Sequence, residues 1–244
     1  MDKMYLTGVA VLIAATAIAS CDDDDSSGET ATIELRVVSF TPGEDNVPVP
    51  GAEVCVWGTA DCETAGADGV VLLEVDVGAD TAVRITADGF GPVLTPQVAV
   101  DGRPAPRDVS MLSEELMVLL AASLNTPYPT EGTGVVAITL LGDPRDLDTA
   151  IPGVAMTLVG AQAPQYYLDD NGFPDTALSE TGTLGTGGFF ELSPGTHEVE
   201  LAALPDDCTR FAAWAGSTSS SIRFPVEAGS FSNALIVCDP TDAQ

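Results

Sequence analysis

Short apolar runs, separated by turn residues, recur along most of the chain. From Ala31 onward, segments such as residues 32–38 and 81–86 alternate apolar and polar residues. This is the period of a β-strand with one buried face. Glycine, proline and aspartate separate the runs at short spacing, which is typical of antiparallel β-sandwiches. The pattern therefore predicts a mainly β protein with two antiparallel β-sandwich domains, at residues 31–110 and 135–240.

Residues 111–134 break this rhythm. They begin with MLSEELMVLLAASL, a run dense in helix formers that Ser110 or Ser113 can cap. The run is apolar on most sides, so we expect a helix that packs against one or both β-regions. A strand that continues from Val109 is the competing interpretation. The rest of residues 111–134 predicts a linker, rich in proline, glycine and threonine.

One motif occurs twice in the chain. Residues 49–58 (VPGAEVCVWG) align with residues 151–160 (IPGVAMTLVG), and each stretch precedes a glycine turn and an apolar strand. The second copy carries an insert at residues 161–178. The repeat predicts two copies of one fold that differ most in this insert.

The first copy resembles the carboxypeptidase regulatory-like, or transthyretin-like, β-sandwich family. Residues 49–54 match its apolar-x-G-apolar-x-apolar step, residues 64–70 its T-x-x-D-G-x-apolar step, Gly78 its glycine turn and residues 87–90 its A-x-G-apolar step. An immunoglobulin-like sandwich would leave similar marks. The second copy keeps part of the pattern, at Pro152, Gly153, Thr183, Gly188, Pro194 and Gly195.

The N-terminus has the pattern of an export signal. Residues 1–20 contain a lysine, an apolar run and small residues that end before Cys21. This arrangement resembles the bacterial lipoprotein signal, whose cysteine is lipidated after cleavage. The resemblance implies a signal peptide at residues 1–20 and a membrane anchor of acyl chains, such as palmitate, on Cys21. A plain secretory signal cut near Ser20 is the alternative. We expect the Asp-rich residues 21–30 to be a disordered tether.

The charge balance restricts the partners of the protein. The formal net charge is −29, with 37 acidic residues against 8 lysines and arginines. Such a surface repels phosphate backbones, so we expect no nucleic-acid partner. It also disfavours adhesion to anionic lipid headgroups, so membrane attachment is assigned to the lipid alone. An envelope protein or a glycan remains as the expected partner of a protein in the bacterial cell envelope, either periplasmic or surface-exposed.

Four cysteines follow the lipidation candidate, none of them in a CxxC pair, so a zinc site is not expected. An exported protein meets an oxidising compartment, where disulfides form. Four cysteines allow three pairings. Proximity along the chain favours one local disulfide in each copy, Cys55 with Cys62 and Cys208 with Cys238.

The chain offers little for catalysis. His197 is its single histidine. A Ser-His-Asp arrangement or a His-rich zinc site needs more than one histidine on a predicted strand surface. The peptidases and iron dioxygenases associated with the resembled family need a separate catalytic domain or two histidine ligands. We therefore expect a protein that is not an enzyme.

The insert and its surroundings hold the candidate binding residues. Asp169, Asn171 and Asp175 offer oxygen ligands for Ca²⁺, but an acidic turn that closes a hairpin is the favoured interpretation. Tyr166 and Tyr167, with Trp214, could form a surface on which sugar rings stack, and core packing is the alternative.

Together these features predict a non-enzymatic envelope lipoprotein, a tethered binding or scaffolding module. Two alternatives stay open. The first is a glycan- or calcium-binding surface module that uses residues 161–178, and exposed tyrosines would favour it. The second is a structural subunit of a larger envelope complex, and an apolar helix face left bare would favour it.

Overall fold

The computed structural model describes residues 30–42, 44–77, 80–98, 107–128, 131–144, 146–214 and 216–238. The predicted signal peptide, Cys21, most of the predicted tether and Gly78 lie outside the described residues. In the first half of the chain, the strands are β1 (Thr30–Ser39), β2 (Val47–Pro48), β3 (Glu53–Val56), β4 (Cys62–Thr64), β5 (Val70–Asp76), β6 (Asp80–Thr86), β7 (Val93–Val98) and β8 (Arg107–Met111).

A single helix of the described chain, α1 (Glu114–Ser123), separates these strands from the second half. The second set is β9 (Gly134–Asp143), β10 (Asp146–Ala150), β11 (Ala155–Leu158), β12 (Gln165–Leu168), β13 (Pro174–Asp175), β14 (Thr186–Leu192), β15 (Gly195–Ala202), β16 (Cys208–Ala212), β17 (Ser221–Val226) and β18 (Phe231–Cys238). The mainly β fold class that the alternating pattern predicts is confirmed.

Six strands of each half follow the same pairing scheme. In the first half, β1 pairs with β5 and, in parallel, with β8, while β6 pairs with β3 and β7. In the second half, β9 pairs with β14 and, in parallel, with β18, while β15 pairs with β11 and β17. Each half therefore contains two facing sheets of equivalent strands, as the sequence repeat predicts.

The turn that opens the repeated motif shows why it recurs. Gly51 and Gly153 have φ values of 77° and 81°. Glycine adopts this left-handed conformation without the steric cost that other residues meet. The turn lets the chain enter β3 in the first half and β11 in the second, so the Pro-Gly pair marks the same structural point in both copies.

The two halves share one sheet. β7 of the first half pairs in parallel with β18 of the second, with Val93 opposite Phe231 and Leu94 opposite Ser232. The result is an eleven-stranded sheet whose main path runs β13-β12-β14-β9-β18-β7-β6-β3-β4. We call it the shared sheet.

Smaller sheets cover opposite faces of the shared sheet. Successive side chains of a strand point to opposite faces. On β18, Phe231 packs against the core of the first half, whereas Ala234 and Ile236 belong to the core of the second. The sheet of β2, β1, β5 and β8 therefore lies on one face of the shared sheet, and the sheet of β11, β15 and β17 lies on the other.

Helix α1 covers part of the shared sheet that the first half leaves open. Ser113 caps it, because its hydroxyl oxygen accepts a hydrogen bond from the Leu116 N–H at 3.1 Å. Met117 and Ala121 are buried. The predicted helix therefore forms and packs on the β-structure, and the competing strand ends at Met111. Within the described residues, no helix has the length and apolar character needed to span a membrane.

Candidate functional site

The two disulfides connect neighbouring antiparallel strands. Cys55 on β3 lies opposite Cys62 on β4, and Cys208 on β16 lies opposite Cys238 on β18. The pairing predicted from proximity is confirmed. Glu53 lies near the first disulfide. Because a disulfide sulfur is not a thiolate, this group offers a metal no sulfur ligand.

The calcium candidates lie in and beside the hairpin loop between β12 and β13. The Asp169 carboxylate accepts hydrogen bonds at 2.9 Å from the backbone N–H groups of Phe173 and Asn171. These bonds, that of Phe173 first, lower the pKa of Asp169. Asp175 accepts a hydrogen bond from the Ala177 N–H at 2.7 Å. The carboxylates thus hold the loop in shape, which is the acidic-turn alternative, and Ca²⁺ binding by Asp169, Asn171 and Asp175 stays a prediction.

The two tyrosines of the insert are core residues. Tyr166 and Tyr167 are 3% and 1% exposed. Tyr166 donates a hydrogen bond to the Val136 carbonyl, and the Tyr167 hydroxyl accepts one from the Met156 N–H. Burial raises the pKa of both hydroxyls above the ordinary range. Stacking of sugars on these rings at the surface is therefore wrong for this structure, because neither ring face is accessible.

Trp214 lies between the two halves. Its side chain is half-buried and its ring centroid is 6.0 Å from that of Trp57, with the planes tilted by 42°. Its indole Nε1 is buried without a hydrogen-bond partner. The contact joins the loop after β3 to the segment after β16, so Trp214 takes part in packing between the copies. Its role in sugar stacking stays a prediction without the two tyrosines.

His197 contacts a backbone carbonyl and an aromatic ring. Its Nε2 lies 2.8 Å from the Ser193 carbonyl oxygen, and its ring stacks on Phe224 at a centroid distance of 6.3 Å. A backbone carbonyl next to the ring nitrogen provides no nucleophile for the histidine to activate.

An apolar cavity lies between α1 and the shared sheet. It has a volume of about 120 Å³. Met117 and Leu120 of the helix line one side, and Val135, Ala137 and Phe190 of the sheet line the other. We call this space the apolar cavity. Tyr166 also lines this cavity.

A second, polar cavity adjoins the first. It has a volume of about 70 Å³, and its lining includes Arg107 and Asp108 of β8. Ser110, Thr139 and Asn233 line both this polar cavity and the apolar cavity. The two cavities therefore share three polar residues of their walls, next to the outer edge of β8.

Arg107 is the unusual residue of this region. It is 3% exposed, whereas arginine is almost never fully buried unless it is paired. Its Nη2 donates a hydrogen bond to the Thr95 hydroxyl at 2.6 Å and a longer one to the Pro96 carbonyl at 3.5 Å, while its Nε has no partner. Burial lowers the pKa of Arg107 to about 9. The guanidinium is therefore still charged at neutral pH.

Arg107 is not among the site residues predicted from the sequence, although the sequence contains a signal for it. In β8, RDVSM, positions 107, 109 and 111 share one face because strand side chains alternate. Val109 and Met111 belong to the buried core of the first half. Alternation therefore places an arginine on a core-facing row, which marks it as a residue that needs an explanation.

Comparisons with known proteins identify remote structural likenesses. No family model matches this chain, and no curated protein does. Among solved structures, the chain is similar to the TIE protein of Bacillus anthracis, at 13% identity and a TM-score of 0.27 over 85% of this chain and 33% of that one. It thus spans about a third of the length of that protein.

Two pilins show likenesses of the same order. The shaft pilin SpaA of Lactobacillus rhamnosus GG matches at 11% identity with a TM-score of 0.25, over 86% of this chain and 98% of that one. A minor pilin of Streptococcus agalactiae matches at 10% identity with a TM-score of 0.28, over 88% and 98%. At these TM-scores the likenesses carry no argument about the function of this chain.

Proposed function

We propose that this protein is a non-enzymatic scaffolding lipoprotein of the bacterial cell envelope, a rigid module built from two regulatory-like β-sandwiches and held at a membrane by lipid on Cys21. The module presents surface for an envelope protein partner. The proposal rests on the sequence for the anchor and on the shared sheet for the rigid module.

The observation that carries the scaffolding role is the outer face of α1. Val118 and Leu119 are 52% and 53% exposed, while Met117 and Ala121 on the same helix are buried. Two adjacent apolar side chains left open favour the structural-subunit alternative over the glycan-binding one, for which exposed Tyr166 was the expected sign. Isolated exposed apolar residues are common, so the pair needs a direct test.

Site-specific photo-crosslinking in cells tests this face. We expect a benzophenone amino acid at Val118 or Leu119 to give a discrete crosslinked species. Val47 and Leu72 are the matched controls, since they are also exposed apolar residues, at 58% and 51%, but belong to β2 and β5 and not to the sheet that α1 covers. Equal crosslinking at all four positions, or none at α1, contradicts the assignment of this face.

Membrane fractionation tests the anchor separately. We expect the native chain to remain with membranes after a high-salt wash and Cys21→Ala to move to the soluble fraction with its two disulfides intact. Metabolic labelling with palmitate supplies the second readout, which the alanine variant should lose. A Cys21→Ala protein that stays with the membrane overturns lipid anchoring and leaves the scaffolding role to be judged by the crosslinks.

A further inference from the structure

The outer edge of β8 borders both cavities. Within the described part of the chain, β8 pairs only with β1. On its other side, Ser110 faces the space that Thr139 of β9 and Asn233 of β18 also line. The apolar cavity continues from this point beneath α1, and the polar cavity continues toward Arg107. An apolar cavity and a cavity lined by an arginine thus lie next to each other.

Arg107 forms no ion pair with any described residue. The pKa of Arg107 is lowered by burial. Asp108 also lines the polar cavity, but its carboxylate pairs with Arg36 at 3.6 Å. Burying a charge without a partner is costly. A ligand anion would supply the missing partner.

The polar junction can hold a headgroup in place. The Thr95 hydroxyl accepts a hydrogen bond from Arg107 and donates one to the Asn233 carbonyl at 3.1 Å. This relay fixes the guanidinium relative to β18. Ser110 and Thr139 add hydroxyl groups to the same wall, and a carboxylate oxygen accepts hydrogen bonds from such groups.

The apolar end sets the size of the tail. A cavity of about 150 Å³ lined by aliphatic and aromatic side chains holds a benzene molecule, which has six carbons. The apolar cavity, at about 120 Å³, therefore suits a short hydrocarbon segment. Tyr166 and Phe190 form an edge-to-face pair in its wall, with centroids 4.9 Å apart.

We propose that the two cavities open into one space that binds a short amphiphilic carboxylate, with its carboxylate on Arg107 and an unbranched tail of about six to eight carbons that runs from the polar cavity into the apolar cavity. The inference is independent of the lipid anchor and of the partner face on α1. It assigns a ligand class to a site that the scaffolding role does not require.

Calorimetric titration with octanoate, and with octan-1-ol as the uncharged match, tests the proposal. The full chain with Cys21→Ser avoids detergent, which would compete for the site. We expect saturable octanoate binding. Arg107→Met should weaken the octanoate affinity about tenfold or more, because one charge-assisted hydrogen bond is lost. The octanol affinity should change less than about twofold. Ala137→Leu, which fills the apolar cavity, should weaken both ligands about tenfold.

Arg84→Gln is the matched control, since it removes an arginine of the first half that lines neither cavity. We expect unchanged octanoate binding. If Arg107→Met does not fold, Arg107→Lys keeps the charge without the forked donor, and binding should weaken at least about threefold. No saturable heat at millimolar octanoate, equal loss of octanoate and octanol in Arg107→Met, or binding unaffected by Ala137→Leu overturns the proposal.

Discussion

β8 and β18 are equivalent strands whose outer edges have different neighbours. Each is the last strand of its copy and pairs in parallel with the first, β8 with β1 and β18 with β9. The outer edge of β18 is occupied by β7 at its start and by β16 at its end. The outer edge of β8 borders the two cavities. The last strand of the second half therefore joins the two copies, whereas the equivalent strand of the first half borders a candidate binding space.

The largest expected effect concerns β18. Ile236→Ala removes a fully buried side chain from the core of the second half and should cost about 2–5 kcal/mol of unfolding free energy. Because the copies share a sheet, we expect one cooperative urea transition for both. Single-tryptophan variants, Trp57→Phe and Trp214→Phe, report on each half by fluorescence.

Ile33→Ala is the matched change in the first half, where Ile33 is 1% exposed. It should shift both tryptophan signals together, as Ile236→Ala does. Two separated transitions, each sensitive to one of the variants, would show that the β7–β18 pairing does not couple the copies.

Removal of the disulfides should have effects of intermediate size on stability, and these effects should differ between the two halves. Cys208–Cys238 closes a sequence separation of 30 and Cys55–Cys62 one of 7. Loop-closure entropy predicts losses of about 3.7 and about 2.5 kcal/mol when each pair is replaced by alanine. Chemical denaturation of the two double variants measures the difference. A larger loss at Cys55–Cys62 than at Cys208–Cys238 would show that loop length does not set the contribution of the two disulfides.

Arg107→Met sharpens the contrast at β8. If the guanidinium is held for a ligand, the empty protein carries its burial cost, and a methionine of similar length should stabilise it by about 1–2 kcal/mol. Thermal and urea unfolding without octanoate measure this change. A purely structural arginine, needed for its bond to Thr95, predicts destabilisation instead.

Arg84→Gln should have the smallest effect. The Arg84 side chain reaches Glu227 of the other half at 3.0 Å, but both side chains are more than a third exposed. Such pairs contribute about 0–1 kcal/mol and weaken with salt. Unfolding in low and high salt should therefore differ little between this variant and the native chain. A loss of unfolding free energy above about 2 kcal/mol would show that this ion pair, rather than the shared sheet, couples the copies.

Much of each copy could be predicted from the sequence. Alternation at residues 81–86 became β6, and the Pro-Gly motif marked the start of β3 and β11. The shared sheet could not be predicted, because Val93 and Phe231 are distant along the chain. The periodicity of a strand does not indicate which strand edges pair with each other. Pairing between edges depends on the assembled shape of both copies.

The site was harder to predict for a related reason. The sequence suggests Tyr166 and Tyr167 as a pair of surface residues, yet the insert adds β12 to the edge of β14. Alternation then buries one ring on each face of the shared sheet, Tyr167 in the core of the second half and Tyr166 beneath α1. The sequence around the two tyrosines does not show that either face of β12 is covered, because the elements that cover these faces come from other parts of the chain.

The ends of the shared sheet have a consequence for crowding. Its terminal strands are β4, three exposed residues tied back by a disulfide, and β13, two residues that begin with Pro174. Short edges, and a proline that cannot donate a hydrogen bond, are poor templates for a strand from another molecule. The shared sheet should therefore not extend at these two ends into the sheet of a neighbouring copy.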